Sequence, residues 1–178
     1  MRRWFVSGMA GVLTAFSVFP VRCAAQDPNL ETNLKAAFLY NFTKYIDWPA
    51  DPGGSEFVIG IIGPSDIEDP LQEIARTGTV GNKKIVVRRF DKLEQLVPCQ
   101  VLFISRRCKI DLAAIMARVN RNELTIGEVA GAARRGVMFN FVLPGDKLRF
   151  EVNLKSLSAS GLKVSSQLLK LAIVVNDK

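Results

Sequence analysis

Hydrophobic and polar positions follow two different rhythms along this chain, and the rhythms predict its elements. From Leu34 to Pro49 (LKAAFLYNFTKYIDWP) the period is helical: Leu34, Phe38, Phe42 and Tyr45 fall on one stripe, which Ala37 and Ile46 widen. Asn41 is the polar residue that lands on that stripe, so its amide needs a hydrogen-bond partner if it is buried. Asn29 or Thr32 suits the helix start, and Glu31 suits the positive end of the dipole. Pro49 and Pro52, with Asp51, Gly53 and Gly54 beside them, end the helix. So much ring surface on one stripe requires a sheet or groove to cover it.

The following segments supply a sheet. Glu56 to Ile62 (EFVIGII) is apolar past its first residue and rich in β-branched side chains, the pattern of a strand buried on both faces. A Gly63-Pro64-Ser65 turn leads into a helix over Asp66 to Arg76 that carries Ile67, Leu71 and Ile74 at helical spacing. Thr77 to Lys84 reads as a loop, Ile85 to Phe90 as a second strand, and Asp91 to Leu96 as a short helix ended by Pro98. Val101 to Ile104 is a third strand, Ile110 to Val119 a helix with Leu112, Ile115, Met116 and Val119 inward, and Leu124 to Ile126 a fourth strand. The rhythm then shifts to period two. Val137 to Val142 and Lys147 to Asn153 flank Leu143-Pro144-Gly145-Asp146, strong turn chemistry for an antiparallel hairpin. Ser165 caps a last helix bearing Leu168, Leu169, Leu171 and Ala172. The predicted fold class is α/β: a single three-layer domain, a mostly parallel sheet with helices on both faces, plus a C-terminal antiparallel hairpin and helix.

Composition changes this picture at the N-terminus. The 178 residues are 48% hydrophobic and 23% charged, as in a globular protein. Residues 1–25 read as a secretory signal: Arg2 and Arg3 open it, Trp4 to Phe19 is uncharged and mostly apolar, and Cys23-Ala24-Ala25 offers small residues at a cleavage site before Gln26. Residues 26–178 then form one mature domain. Cleavage removes three basic residues and no acidic one, leaving 21 basic and 17 acidic residues, so the formal charge of +7 falls to +4. That excess is too weak to argue for nucleic-acid binding, and it suits an acidic partner or anionic head groups.

The chain has no histidine. This excludes Ser-His-Asp and Cys-His catalysis and the commonest transition-metal ligand. No paired acid–base carboxylates stand out, and the sequence implies neither cofactor nor metal. Cys99 and Cys108 are the cysteines of the mature chain. A disulfide between them requires the strand they flank to be shorter than its apolar run; otherwise they are two thiols. Gly78 to Lys84 has the wrong spacing for a phosphate loop and precedes a strand where that motif needs a helix. Gly127, Gly131 and Gly136 surround Arg134-Arg135; such a bend can hold an anion, although glycines so placed more often release strand geometry and leave the arginines solvated. Arg106, Arg107 and Lys109 follow the third strand, where open α/β sheets place ligands; a solvated charged rim explains such residues equally well. Tyr40, Tyr45 and Trp48 are candidates to line a small-molecule pocket against the first helix, although aromatics at helical spacing are more often core.

Three segments together resemble the YfiR family of periplasmic signalling proteins. They are Lys35 to Tyr45 running on to Trp48-Pro49, Cys99 to Ser105, and Arg149 to Leu154 continuing through Gly161-Leu162-Lys163-Val164-Ser165-Ser166 to Leu168-Leu169. The first and third are the specific ones. The resemblance implies a periplasmic, non-enzymatic repressor that binds the periplasmic sensor domain of an inner-membrane diguanylate cyclase and lowers cyclic-di-GMP, with consequences for biofilm formation. It implies an outer-membrane lipoprotein as a competing partner; a second copy of the chain is a further candidate. Phe139, Arg149, Glu151, Asn153 and Leu157, read as outward groups of the hairpin and the segment after it, are the expected partner surface. The chain also departs from the family pattern. Family members often carry a cysteine in the first strand that pairs with the one at Cys99, and here that strand reads Val58-Ile59-Gly60-Ile61.

Overall fold

The computed structural model describes residues 28–48 and 54–175. The expected secretory segment 1–25, and Pro49 and Pro52 as helix stops, lie outside the described residues. The first helix, α1, spans Pro28–Lys44 and is followed by a two-residue strand, β1 (Ile46–Asp47). Then come β2 (Glu56–Ile62), α2 (Glu68–Thr77), β3 (Thr79–Val80), β4 (Lys83–Phe90), β5 (Val101–Ile104), α3 (Leu112–Met116) and β6 (Leu124–Gly127). The chain finishes with β7 (Phe139–Val142), β8 (Arg149–Asn153), α4 (Leu154–Ser160), β9 (Lys163–Val164), α5 (Ser166–Leu169) and β10 (Ile173–Val175).

Among the described residues the main sheet has eight strands in the order β10-β8-β7-β6-β5-β2-β4-β3. The strand β2 is its pivot. It pairs in parallel with β4 on one side and β5 on the other, and β6 and β7 continue in parallel beyond β5. The chain order therefore reverses direction at β2, which makes the carboxyl ends of β2 and β5 a topological switch point. The hairpin β7–β8 is antiparallel with Phe141 opposite Phe150, and β10 returns parallel to β8 as an edge. A separate antiparallel ribbon joins β1 to β9. The α/β class, the mostly parallel sheet and the terminal hairpin and helix are as the sequence predicts.

The sheet carries a core on each face. One is built by α1, α2 and the C-terminal helices over Phe57, Ile59, Ile61, Phe103, Ile126, Phe139, Phe141 and Phe150. The other is smaller, with Ile115 of α3 over Ile62, Leu102, Ile104, Ala132 and Val137. Three layers result.

The helix α1 lies on the sheet rotated from its predicted stripe. Ala36, Leu39, Phe42 and Ile46 are buried, Leu34 and Tyr45 are 41% and 42% exposed, and Asn41 is exposed. The rotation is stabilised by Lys35, a charged residue that the apolar pattern places outside. Its Nζ is buried 2.7 Å from Glu128 Oε2 and 2.5 Å from Glu31 Oε1. A buried cation with two carboxylates is tolerated where an unpaired one is not. Two other elements differ. Residues 77–84, expected as a loop, form the β3–β4 hairpin with Thr79 opposite Lys84, and Gly81 turns it at φ +60°. The helix α3 has five residues where ten were expected. No described helix is long and apolar enough to cross a membrane.

Candidate functional site

The hairpin β7–β8 is where the sequence places a partner surface, and alternation decides which of its side chains are available. Phe139, Phe141, Phe150 and Val152 share one face and enter the core. There Phe42 of α1 meets Phe150 at 4.8 Å, Phe139 at 5.1 Å edge-on, and Phe141 at 5.9 Å between ring centroids. Phe139 is therefore a core residue, contrary to the expectation that it faces outward.

Asn153 and Leu157 are likewise buried. The Asn153 Nδ2 donates to the Ala133 carbonyl at 2.7 Å, and its Oδ1 accepts from the Ser156 N–H at 2.9 Å, capping α4. Leu157 lies on α4, a helix absent from the sequence reading, and points into the core. The signal for that helix is present: an Asn start, and a Gly161 stop held at φ +76°. Of the expected surface, Arg149 is exposed and Glu151 half-buried. The Glu151 Oε2 accepts from Asn140 Nδ2 at 3.0 Å. Beside them β10 is a sheet edge, with Val174 52% exposed and Leu171, just before it, 61% exposed. Val174 stands in register with Val152, so it projects from the face opposite Arg149 and Glu151; the available surface is a charged pair on one face and an apolar strand edge that turns to the other.

The aromatic trio expected to share a pocket does not converge. Trp48 packs edge-on against Phe57 at 4.9 Å and donates its Nε1–H to the Thr43 carbonyl at 2.9 Å. The Tyr40 hydroxyl donates to the Thr79 carbonyl at 3.4 Å, and Lys44 Nζ stands 4.1 Å above its ring. Tyr45 faces solvent. Only Trp48 lines an open groove, at the amino ends of the strands, and the rings of Tyr40 and Tyr45 are not part of it.

Cys99 and Cys108 are free thiols at opposite ends of β5. Cys99 is buried beside Gly60, where a Cβ would stand 3.1 Å from its Sγ. Burial, then the Glu123 carboxylate, push its thiol up to about 12 from an ordinary 9.0, while a hydrogen bond from the Gly60 backbone lowers it. Cys108 sits against Gly63, whose φ of +85° and 2.7 Å clearance to the Cys108 Cα leave no room for a side chain. Gly60 and Gly63 are three strand residues apart, roughly 10 Å, too far for the two sulfurs to bond.

The switch point carries a polar cluster. Arg107 Nη2 donates to Asp66 Oδ1 at 2.6 Å, Ser105 Oγ donates to the Pro64 carbonyl, and Glu128 Oε1 accepts the Arg106 N–H at 3.1 Å. Each partner is internal, so the cluster ties loops together. Among the described residues no group of three His, Cys, Asp or Glu side chains is placed to hold a metal ion.

The model of the YfiR/HmsC-like family matches residues 32–173, from within α1 to the start of β10. The chain belongs to that family. The family is regulatory rather than catalytic, and its members act on a protein partner. No curated protein matches the chain. The sequence segments most specific to the YfiR/HmsC-like pattern have structural work here. Lys35 to Tyr45 supplies the buried ion pair and Phe42. Arg149 to Leu154 runs down β8 into the Asn153 cap, Val164 pairs with Ile46, and Ser165 caps α5 through the Gln167 N–H at 3.2 Å.

Proposed function

We propose that this chain is a periplasmic repressor that binds the sensor domain of an inner-membrane diguanylate cyclase and lowers cyclic-di-GMP, with an outer-membrane lipoprotein competing for it. Membership of the YfiR/HmsC-like family across nearly all of the described chain carries this reading. The binding surface centres on Arg149 and Glu151 and wraps round the β10 edge, from which Val174 projects on the opposite face of the sheet. Arg149 has no ion-pair partner among the described residues, and an unpaired exposed arginine suits a reversible interface. Among the described residues no strand pairs with the outer edge of β10, and such an edge offers backbone groups for a partner to pair with.

Arg149→Glu tests the surface directly, because that side chain makes no hydrogen bond to another side chain among the described residues. In cells carrying the cyclase, this variant raises cyclic-di-GMP several-fold at an unchanged melting temperature. Unchanged cyclic-di-GMP in a folded variant removes Arg149 from the interface. Glu151→Lys has the same direction, but it also breaks the Asn140 bond, so its melting temperature falls slightly.

A further inference from the structure

On the sheet face opposite α1, two loops that the sequence marks separately meet at one cavity. It has a volume of 230 Å³ and lies between α3, the carboxyl ends of β5 and β6, and the turn at Ala133–Arg135. Its depth is apolar, formed by buried Ile104, Ile115, Ala132 and Val137. Its mouth holds Arg106 and Arg135, which approach from loops 29 residues apart in sequence. We propose that this cavity binds a small organic carboxylate, with the apolar body inside and the carboxylate held by Arg106 and Arg135.

Charge complementarity argues for this occupant. Arg107, Arg88 and Arg89 each have a carboxylate partner, at 2.6, 3.2 and 2.8 Å. Neither Arg106 nor Arg135 has an ion-pair partner among the described residues, and both are exposed at the same opening. Asp111 is the one carboxylate on the lining, and it caps the Ala114 N–H at 3.4 Å. Both loops are fixed. Glu128 holds the Arg106 backbone, and Gly136 at φ +100° closes the turn that carries Arg135. An arginine pair matches a carboxylate by two-pronged, charge-assisted bonds. The location also fits, since open α/β sheets bind ligands beyond the carboxyl ends of their strands. The volume lies just below the roughly 300–1,000 Å³ of pockets that take drug-sized ligands, which limits the ligand to on the order of ten non-hydrogen atoms. Such a site would give the regulator a chemical input distinct from its partner surface.

The thiol of Cys108 also lines the cavity and serves as a built-in reporter. The full chain is titrated with octanoate, with the uncharged octanamide and with inorganic sulfate, following the melting temperature and the rate of Cys108 alkylation by iodoacetamide. Octanoate raises the melting temperature and slows alkylation. Octanamide and sulfate do neither at the same concentration. The double variant Arg106→Ala, Arg135→Ala keeps its fold and binds octanoate about tenfold more weakly or worse. The proposal is overturned by no octanoate effect, by an equal effect in the double variant, or by sulfate alone reproducing it.

Discussion

On the α1 face of the sheet, Phe42 is enclosed by the rings of Phe38, Phe139, Phe141 and Phe150, at centroid distances from 4.8 to 6.0 Å. On the α3 face, Ile115 stands over Ile62, Leu102 and Ile104, and a 230 Å³ cavity remains beside it. Both faces belong to the same strands, so the difference lies in what covers them. A seventeen-residue helix runs for nearly five turns over the sheet, while a five-residue helix and a tight turn present little more than one. The long cover fills its face with interlocking aromatic rings; the short one leaves space and brings arginines to its rim. The first face holds the fold, and the second has room for a ligand.

The largest expected effect tests that division directly. Phe42→Ala removes a ring from the centre of the filled face and costs about 3–5 kcal/mol in urea unfolding. Met116→Ala, half-buried on α3, costs less than about 2 kcal/mol. Equal losses would show that the two faces share the stability evenly. Next in size is Lys35→Ala, which leaves Glu128 buried without its cation and costs about 3 kcal/mol. A loss below about 1 kcal/mol would mean that the pair orients α1 without stabilising it.

The smallest effect is a pH dependence on the α3 face. Below pH 9 the Cys99 thiol is protonated in both folded and unfolded chains. Between about 9 and about 12 the unfolded chain gives up that proton while the folded one keeps it, so stability falls as pH rises through this window. The loss from this group approaches roughly 1.4 kcal/mol per pH unit. Unfolding at pH 8 and pH 10 should separate the wild type from Cys99→Ala, whose dependence is shallower. Matching slopes would show that the thiol titrates alike in both states.

Much of the fold was readable because burial on a sheet leaves a plain pattern. The apolar runs Phe57–Ile62 and Val101–Ile104 and the alternation through Leu148, Phe150 and Val152 marked strands correctly. The site was less legible, for identifiable reasons. Alternation in a hairpin gives two faces without saying what lies over the second, and here Ala133 and α4 cover it at Asn153. A polar residue therefore looked outward when it was an internal cap. The role of Lys35 is hidden from local pattern in the same way, since its partner Glu128 lies 93 residues away. The convergence of Arg106 and Arg135 depends on strand order, which local patterns do not encode. Membership of the YfiR/HmsC-like family compensated at the level of role, and left the contacting residues to geometry.

The close approach of Gly60 to Cys99 has a consequence for how this lineage can change. A side chain starting at residue 60 would begin 3.1 Å from the Cys99 sulfur, within reach of a covalent bond, with the tip of Phe90 at 2.8 Å as the part that must yield. The chain is one substitution away from a crosslink between β2 and the segment that leads into β5. An oxidising environment would then tie β2 to that segment, and the stability of the sheet would come to depend on redox conditions at this point.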